Sequence, residues 1–340
     1  MYKVVTADAA GLVLAHDITR IIPGEKQFPV FRRGHIIQAE DIAVLLEMGK
    51  IEIYVGDPPL GEIHEEEAAL RIASSACGPD LTWAQPSQGR LNIKTDQKGL
   101  LKIDVNRLKQ VNSCNGFVLA TLHNNCTVDK DQIIAGTRIV PLTIPEDQLI
   151  TVEKICSSPT PLIEVKPFKV HKVGVVTTGN EVFQGKVKDA SYPMLKKKLE
   201  PFGLAIMEQV VVPDDPRIIA KNIKLMQNKG MELIVVTGGM SVDSNDTTPQ
   251  GIEQSGADII QYGVPVLPAS QFLLAYMGDT PVCGLPGGAL VSRITTFDIL
   301  LPRFMGKDRI ERNDLIDLGH GGLCSECSIC SYPKCPFGKN

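Results

Sequence analysis

Three apolar runs end in loops that pair glycine with hydroxyl or carboxylate side chains. They are Thr177-Thr-Gly-Asn-Glu181, Gly238-Gly-Met-Ser-Val-Asp-Ser-Asn-Asp246 and Gly284-Leu-Pro-Gly-Gly288. A fourth stretch, Val212-Pro-Asp-Asp215, closes another apolar run and opens a helical pattern. Glycine lets bare backbone N–H groups approach an anion, and a helix starting near residues 287–289 would turn its positive end to a phosphate. Glu181, Asp214, Asp243 and Asp246 offer carboxylates to Mg²⁺ or to the donor-rich edge of a heterocycle. Asp214 or Asp215 equally suits a plain helix cap. The combination points to a phosphorylated ligand with an aromatic ring. Neither a Walker loop nor a G-x-G-x-x-G fingerprint is present, so nucleotide binding of those kinds is not supported.

A second set of reactive groups closes the chain. Cys324, Cys327, Cys330 and Cys335 follow a C-x2-C-x2-C-x4-C spacing that brings four thiolates within reach of one zinc ion or one iron–sulfur cluster. The last interval is one residue longer than in a bacterial ferredoxin run, although Pro336 follows the final cysteine as it does there. The competing reading is four unliganded thiols on a flexible tail, an oxidation hazard. Cys77, Cys114, Cys126, Cys156 and Cys283 are scattered and read as small hydrophobes in a reducing compartment.

The elements that position these loops follow from patterning. From Val170 onward strands and helices alternate: strands at residues 172–177, 203–212, 232–237 and 280–285, and helices at 190–199, 216–228 and 289–301. Leu233-Ile-Val-Val236 is the β-branched run of a strand buried on both faces. Such alternation predicts an α/β fold: a doubly wound parallel sheet in three layers, α/β/α, over residues 169–308. Ligands of open α/β sheets bind at the carboxyl ends of the strands, where all the loops above lie.

The first half reads as β-rich. Residues 1–60 suggest a small unit with strands near Val4 and residues 51–55, a turn at Ile21–Gly24 and a helix over 39–48. Residues 61–168 suggest a helix over 62–75, then strands and turns, with Pro159, Pro161 and Pro167 in an extended linker. Glu65-Glu-Glu67 reads as a solvated face at that helix's start, and His35 as a hydrogen-bonded structural residue. Residues 309–340 read as a Gly-rich connector and the cysteine tail. A hydrophobic fraction of 43%, a charged fraction of 22% and a net charge of −4 over 340 residues describe a soluble globular chain with no nucleic-acid partner. No apolar run reaches membrane-spanning length and the start lacks a signal-peptide core, so a cytoplasmic location without membrane association is expected.

The block from about Val170 to Gly306 resembles the molybdopterin-binding fold shared by molybdopterin adenylyltransferases and molybdenum insertases (molybdopterin molybdotransferases). The resemblance is carried by residues 177–181, Lys188-Asp-Ala-Ser-Tyr-Pro-Met-Leu195, residues 212–215, Gly-Gly-x-Ser-x4-Asp at 238–246 and Gly-Leu-Pro-Gly at 284–287, in the family's order. The N-terminal half is similar to the insertase's accessory regions more loosely, through residues 11–17, 33–37 and 49–55. The resemblance implies a site for molybdopterin or adenylylated molybdopterin formed by Thr178, Gly179, Asn180, Ser191, Gly238, Gly239, Ser241, Asp243, Pro286, Gly287 and Gly288. It further implies Asp214, Asp246 and Glu181 as catalytic carboxylates placing Mg²⁺ and molybdate, a homodimer, and a recipient molybdoenzyme. The sequence departs from the family at Asn180, where insertases carry an acid, at Asp243, where glycine is usual, and at Gly288-Ala289 in place of Asn-Pro. An Asp-Asn-Ser-Ala-Met-Asp-Gly-like segment is also missing. The activity implied is Mg-dependent molybdate transfer; the alternative is a non-catalytic chaperone, or a redox or metal sensor that uses the cysteine tail.

Overall fold

The chain divides between Lys166 and Pro167 into two units. The structure is a computed structural model and describes residues 1–20, 29–240 and 246–339. The turn expected at Ile21–Gly24 lies outside the described residues.

In the N-terminal unit, Tyr2–Val5 pairs antiparallel with Glu52–Val55. The helix Ala39–Glu47 between them carries a reciprocal cap from Gln38 and Asp41. Leu14, Ile18, Ile37, Leu45 and Ile53 fill the small core beneath. His35 bonds Asp41 through Nε2 at 2.6 Å, a structural role. Further along, an antiparallel sheet runs in the order Leu81–Trp83, Leu91–Thr95, Ile133–Ile139, Phe117–Thr121.

Three corrections apply to this unit. Residues 62–64 form a short strand, so the next helix is Glu65–Ala76, with His64 Nδ1 accepting from the Glu66 amide at 3.2 Å. Glu65 is not on a solvated face: it is 5% exposed, and burial pushes its carboxyl up to about 7. The segment in which strands and turns were expected to dominate also contains the helices Val105–Ser113 and Glu146–Ser157. The first is capped by the Asp104 side chain, which accepts from the Arg107 amide.

The C-terminal unit is built on one six-stranded sheet. Its strands are β1 (Lys172–Thr178), β2 (Ala205–Val212), β3 (Leu233–Thr237), β4 (Asp258–Tyr262), β5 (Leu273–Met277) and β6 (Thr280–Leu285). They lie in the order β2-β1-β3-β6-β5-β4. Neighbours from β2 to β6 are parallel, whereas β5 is antiparallel to both β6 and β4. β5 therefore runs against the rest, one antiparallel strand in the largely parallel sheet that was expected.

Helices cover both faces. Val173, Val175, Leu233 and Val235 pack with Leu195 and Leu199 of α1 (Ser191–Leu199) and with Phe297 and Leu301 of α4 (Thr296–Met305). The alternate residues Val176, Ile234 and Val236 pack with Ile219 and Ile223 of α2 (Pro216–Asn228) and Ile252 of α3 (Thr248–Gln254). This is the three-layer α/β/α arrangement, with the inner strands β1, β3, β5 and β6 buried on both faces because both are covered. The helix expected over 289–301 is broken: a single turn, Gly288–Val291, precedes α4, which Thr295 and Asp298 cap reciprocally. Among the described residues no helix is long and apolar enough to cross a membrane.

Candidate functional site

From β1 the chain passes to β2 on one side and then back across β1 to β3 on the other. The carboxyl ends of β1 and β3 thus flank the topological switch point, where an open α/β sheet leaves a crevice. Because β4 runs in the same direction as β6, the ends of β1, β2, β3, β6 and β4 share one edge.

Two consecutive threonines end β1 and face opposite sides of the sheet. Thr178 Oγ1 lies 3.1 Å from Thr248 Oγ1 at the start of α3, and Thr248 donates to the Gly238 carbonyl at 2.8 Å. Thr177 Oγ1 lies 3.2 Å from Ser191 Oγ at the start of α1 and accepts from Gln209 Nε2 at 2.9 Å and Thr237 Oγ1 at 3.4 Å. All of these hydroxyls are buried. Beneath them, Asp189 accepts from the Ser191 amide and hydroxyl and from Gln209 Nε2. Burial opposes the Asp189 charge, but those donors, led by the Ser191 hydroxyl, outweigh it and hold the carboxyl below its ordinary range.

The glycine pair after β3 is sterically required. Gly238 has φ +92° and Gly239 φ +55°. A Cβ on Gly238 would stand 2.4 Å from the Thr178 carbonyl oxygen, and one on Gly239 would stand 2.7 Å from Thr248 Oγ1. At the end of β1, Gly179 adopts φ +140° and donates its amide to the Val212 carbonyl at 3.2 Å. Asn180 and Asp214 then bond reciprocally: the Asn180 amide donates to Asp214 Oδ2 at 2.9 Å, and the Asp214 amide to Asn180 Oδ1 at 3.3 Å. Asp215 is the cap of α2, accepting from the Arg217 amide at 2.8 Å.

The remaining expected residues are more dispersed. Glu181 is exposed on the single turn Asn180–Phe183. Asp246 is half-buried and near enough to Tyr262 that, after burial, its charge is the second cause raising that phenol. Pro286 is buried and accepts from the Ala289 amide at 2.9 Å, while Gly287 and Gly288 are exposed with open space where a Cβ would lie. Ser241 and Asp243 lie outside the described residues. Among those described, no three His, Cys, Asp or Glu side chains are grouped to hold a single metal ion, so Glu181, Asp214 and Asp246 do not form a preformed cage.

Sequence reasoning missed Gln209, Thr248 and Tyr262. Thr248 had a signal, since Thr-Thr-Pro at 247–249 is a helix-start pattern. Tyr262, whose hydroxyl donates to the Met240 carbonyl at 3.0 Å, had none, because its strand went unread.

Residues 174–306 match a family described as "Probable molybdopterin binding domain". This segment belongs to that family. Residues 3–57 match a separate family described as a domain of unknown function. Over 302 residues the chain is 21% identical to the molybdopterin molybdenumtransferase of Haemophilus influenzae, spanning 87% of this chain and 70% of that protein. It is 27% identical to the protein of the same name from Synechococcus elongatus over 143 residues, 39% of this chain and 36% of that protein. The molybdopterin biosynthesis enzyme MoaB from Thermus thermophilus aligns with a TM-score of 0.34 and 22% identity, covering 39% of this chain and 91% of that one. The threonine and glycine crevice lies inside the molybdopterin-binding domain, and the four tail cysteines lie beyond residue 306, where the match ends.

Proposed function

We propose that the molybdopterin-binding domain takes molybdopterin or adenylylated molybdopterin at the ends of β1, β3 and β6, and that the protein acts in molybdenum cofactor biosynthesis as an insertase-type molybdotransferase. The supporting observation is the crevice at the switch point. There Gly238 and Gly239 bring bare backbone against Thr178 and Thr248 with no room for a Cβ, and the exposed Gly287 and Gly288 border it from β6. The buried hydroxyls of Thr177, Ser191 and Thr237 fix the strand ends, so the backbone around an incoming phosphate is set before the ligand arrives.

Asp214 and Asp246 are the carboxylates to which this reading gives Mg²⁺. That ion is commonly held by one or two carboxylates together with substrate phosphates and water, so the dispersed carboxylates suit a cation that arrives with its substrate. Bound there, Mg²⁺ would neutralise phosphate and molybdate oxyanions. A cytoplasmic homodimer that hands its product to a recipient molybdoenzyme completes the reading.

Asn180 favours a second reading, a non-catalytic molybdopterin chaperone. Its mutual bonds with Asp214 brace a loop where insertases present another acid. Calorimetry of molybdopterin binding to anaerobically purified protein, with and without Mg²⁺ and molybdate, separates the two. Micromolar or tighter binding, roughly −8 kcal/mol, strengthened by both ions supports the insertase; binding indifferent to molybdate supports the chaperone. No binding refutes both.

A further inference from the structure

The four tail cysteines all line one cavity of about 510 Å³ in the C-terminal unit. The segment carrying them is anchored at both ends. Leu323 bridges Leu267 in parallel, with the Cys324 amide donating to the Leu267 carbonyl at 2.9 Å. At the far end Phe337 is buried in the core shared by β1, β3 and α4. Cys324 and Cys335 are half-buried against that core, whereas Cys327 and Cys330 are exposed. Two inner and two outer thiols therefore face a common space.

The geometry points to an iron–sulfur cluster of the [4Fe–4S] class in this cavity, ligated by Cys324, Cys327, Cys330 and Cys335. A single tetrahedral zinc ion draws its four sulfurs to within about 3.8 Å of one another, about 1.6 times the Zn–S bond. Among the described residues no three potential ligands are grouped to hold one metal ion. A four-iron core gives each thiolate its own iron, so it accepts sulfurs set farther apart around a larger void. The walls also suit it: Val291, Ile294, Leu323, Tyr332 and Phe337 are apolar or aromatic, and Glu326 is the one carboxylate among the described lining residues.

Charge is compensated locally. Four thiolates around a doubly positive core leave a net charge of about −2, and Arg293 lines the same cavity. Its Nη1 already donates to the Ser328 carbonyl at 3.0 Å, within the stretch between Cys327 and Cys330. As each Fe–S bond forms, the thiol proton passes to solvent and no electron moves.

The test is anaerobic reconstitution of the full chain with sulfide and equal amounts of ferrous and ferric iron, beside a parallel incubation with zinc. The expected result is roughly four irons and four acid-labile sulfides per chain, with a broad visible absorption that dithionite bleaches. The Cys327→Ser/Cys330→Ser double variant alters only exposed thiols, and circular dichroism checks that it is folded. It is expected to retain less than a quarter of that iron. Equal iron in the variant, one tightly bound zinc with no iron uptake, or a tail that takes up no metal would each overturn the assignment.

Discussion

Gly238→Ala is the sharpest probe of the crevice, because two separate penalties fall on one added methyl group. At φ +92° an L-residue pays about 1–2 kcal/mol for backbone conformation alone. The new Cβ would also stand 2.4 Å from the Thr178 carbonyl oxygen and 2.8 Å from Thr178 Oγ1. The first of these atoms is backbone in the sheet's own β1, and the Thr178 hydroxyl is held by Thr248. Relief requires the ends of β1 and β3 to separate, an overpacking cost of about 1–3 kcal/mol. The sum, about 2–5 kcal/mol, should appear in urea unfolding as a lower midpoint with an unchanged slope. Molybdopterin affinity should fall in parallel, since the separation opens the crevice itself. A loss below about 0.5 kcal/mol with affinity intact, the range of ordinary surface substitutions, would refute the claim that this contact sets the site.

Other perturbations test other parts of the molecule. The folded pKa of Glu65, about 7, lies above its ordinary 4.5, so its contribution to stability is complete below 4.5 and is lost as pH rises through 7. At about 1.36 kcal/mol per pH unit the loss comes to roughly 3.4 kcal/mol, and Glu65→Gln should flatten that part of the profile in unfolding measurements across the range. Asp246→Asn should lower the Tyr262 phenol pKa, read by ultraviolet titration against Tyr262→Phe, because it removes a charge that raises it; no change would separate the two residues. The same substitution should abolish molybdate transfer while molybdopterin binding is retained, and unchanged transfer would overturn the catalytic role given to Asp246. Arg303 is buried, with Asp308 at 2.7 Å and Asp314 at 3.0 Å. Arg303→Met leaves Asp308 buried without this cation and should cost about 3–5 kcal/mol in chemical denaturation.

What could be read from the chain alone follows from how strongly local signals agreed. The helix Pro216–Asn228 is delimited by a capping Asp215, a proline at its first position and buried Ile219, Ile223 and Met226 at helical spacing. The strands β1 and β3 are β-branched runs, β6 is a short apolar run, and all three are closed by glycine or polar loops. β5, by contrast, is Leu-Leu-Ala-Tyr-Met, buried throughout and without alternation, and nothing in it distinguishes a strand from a buried helix. With β5 unread, β4 and its Tyr262 were lost as well. Glu65 was misread because composition assigns charge to solvent, whereas the short strand ahead of it turns the first residue of the helix inward. In the site, the glycines and threonines were visible as types. Their partners Gln209 and Thr248 depend on which helix start meets which strand end, and that is set by tertiary packing.

The anchoring of the last segment bears on how the protein is dissected. Phe337 fills the interior next to Ile299, which a Cβ on Gly338 would meet at 2.7 Å. Burying a phenyl group of this kind contributes about 1.5–3 kcal/mol. Cutting the chain after residue 322 to discard the thiols would therefore also unplug the hydrophobic interior of the α/β unit. Any loss of pterin affinity in such a truncation would mix metal chemistry with folding. Serine replacement of the exposed thiols keeps the plug in place, and it lets cluster content and cofactor affinity be varied one at a time.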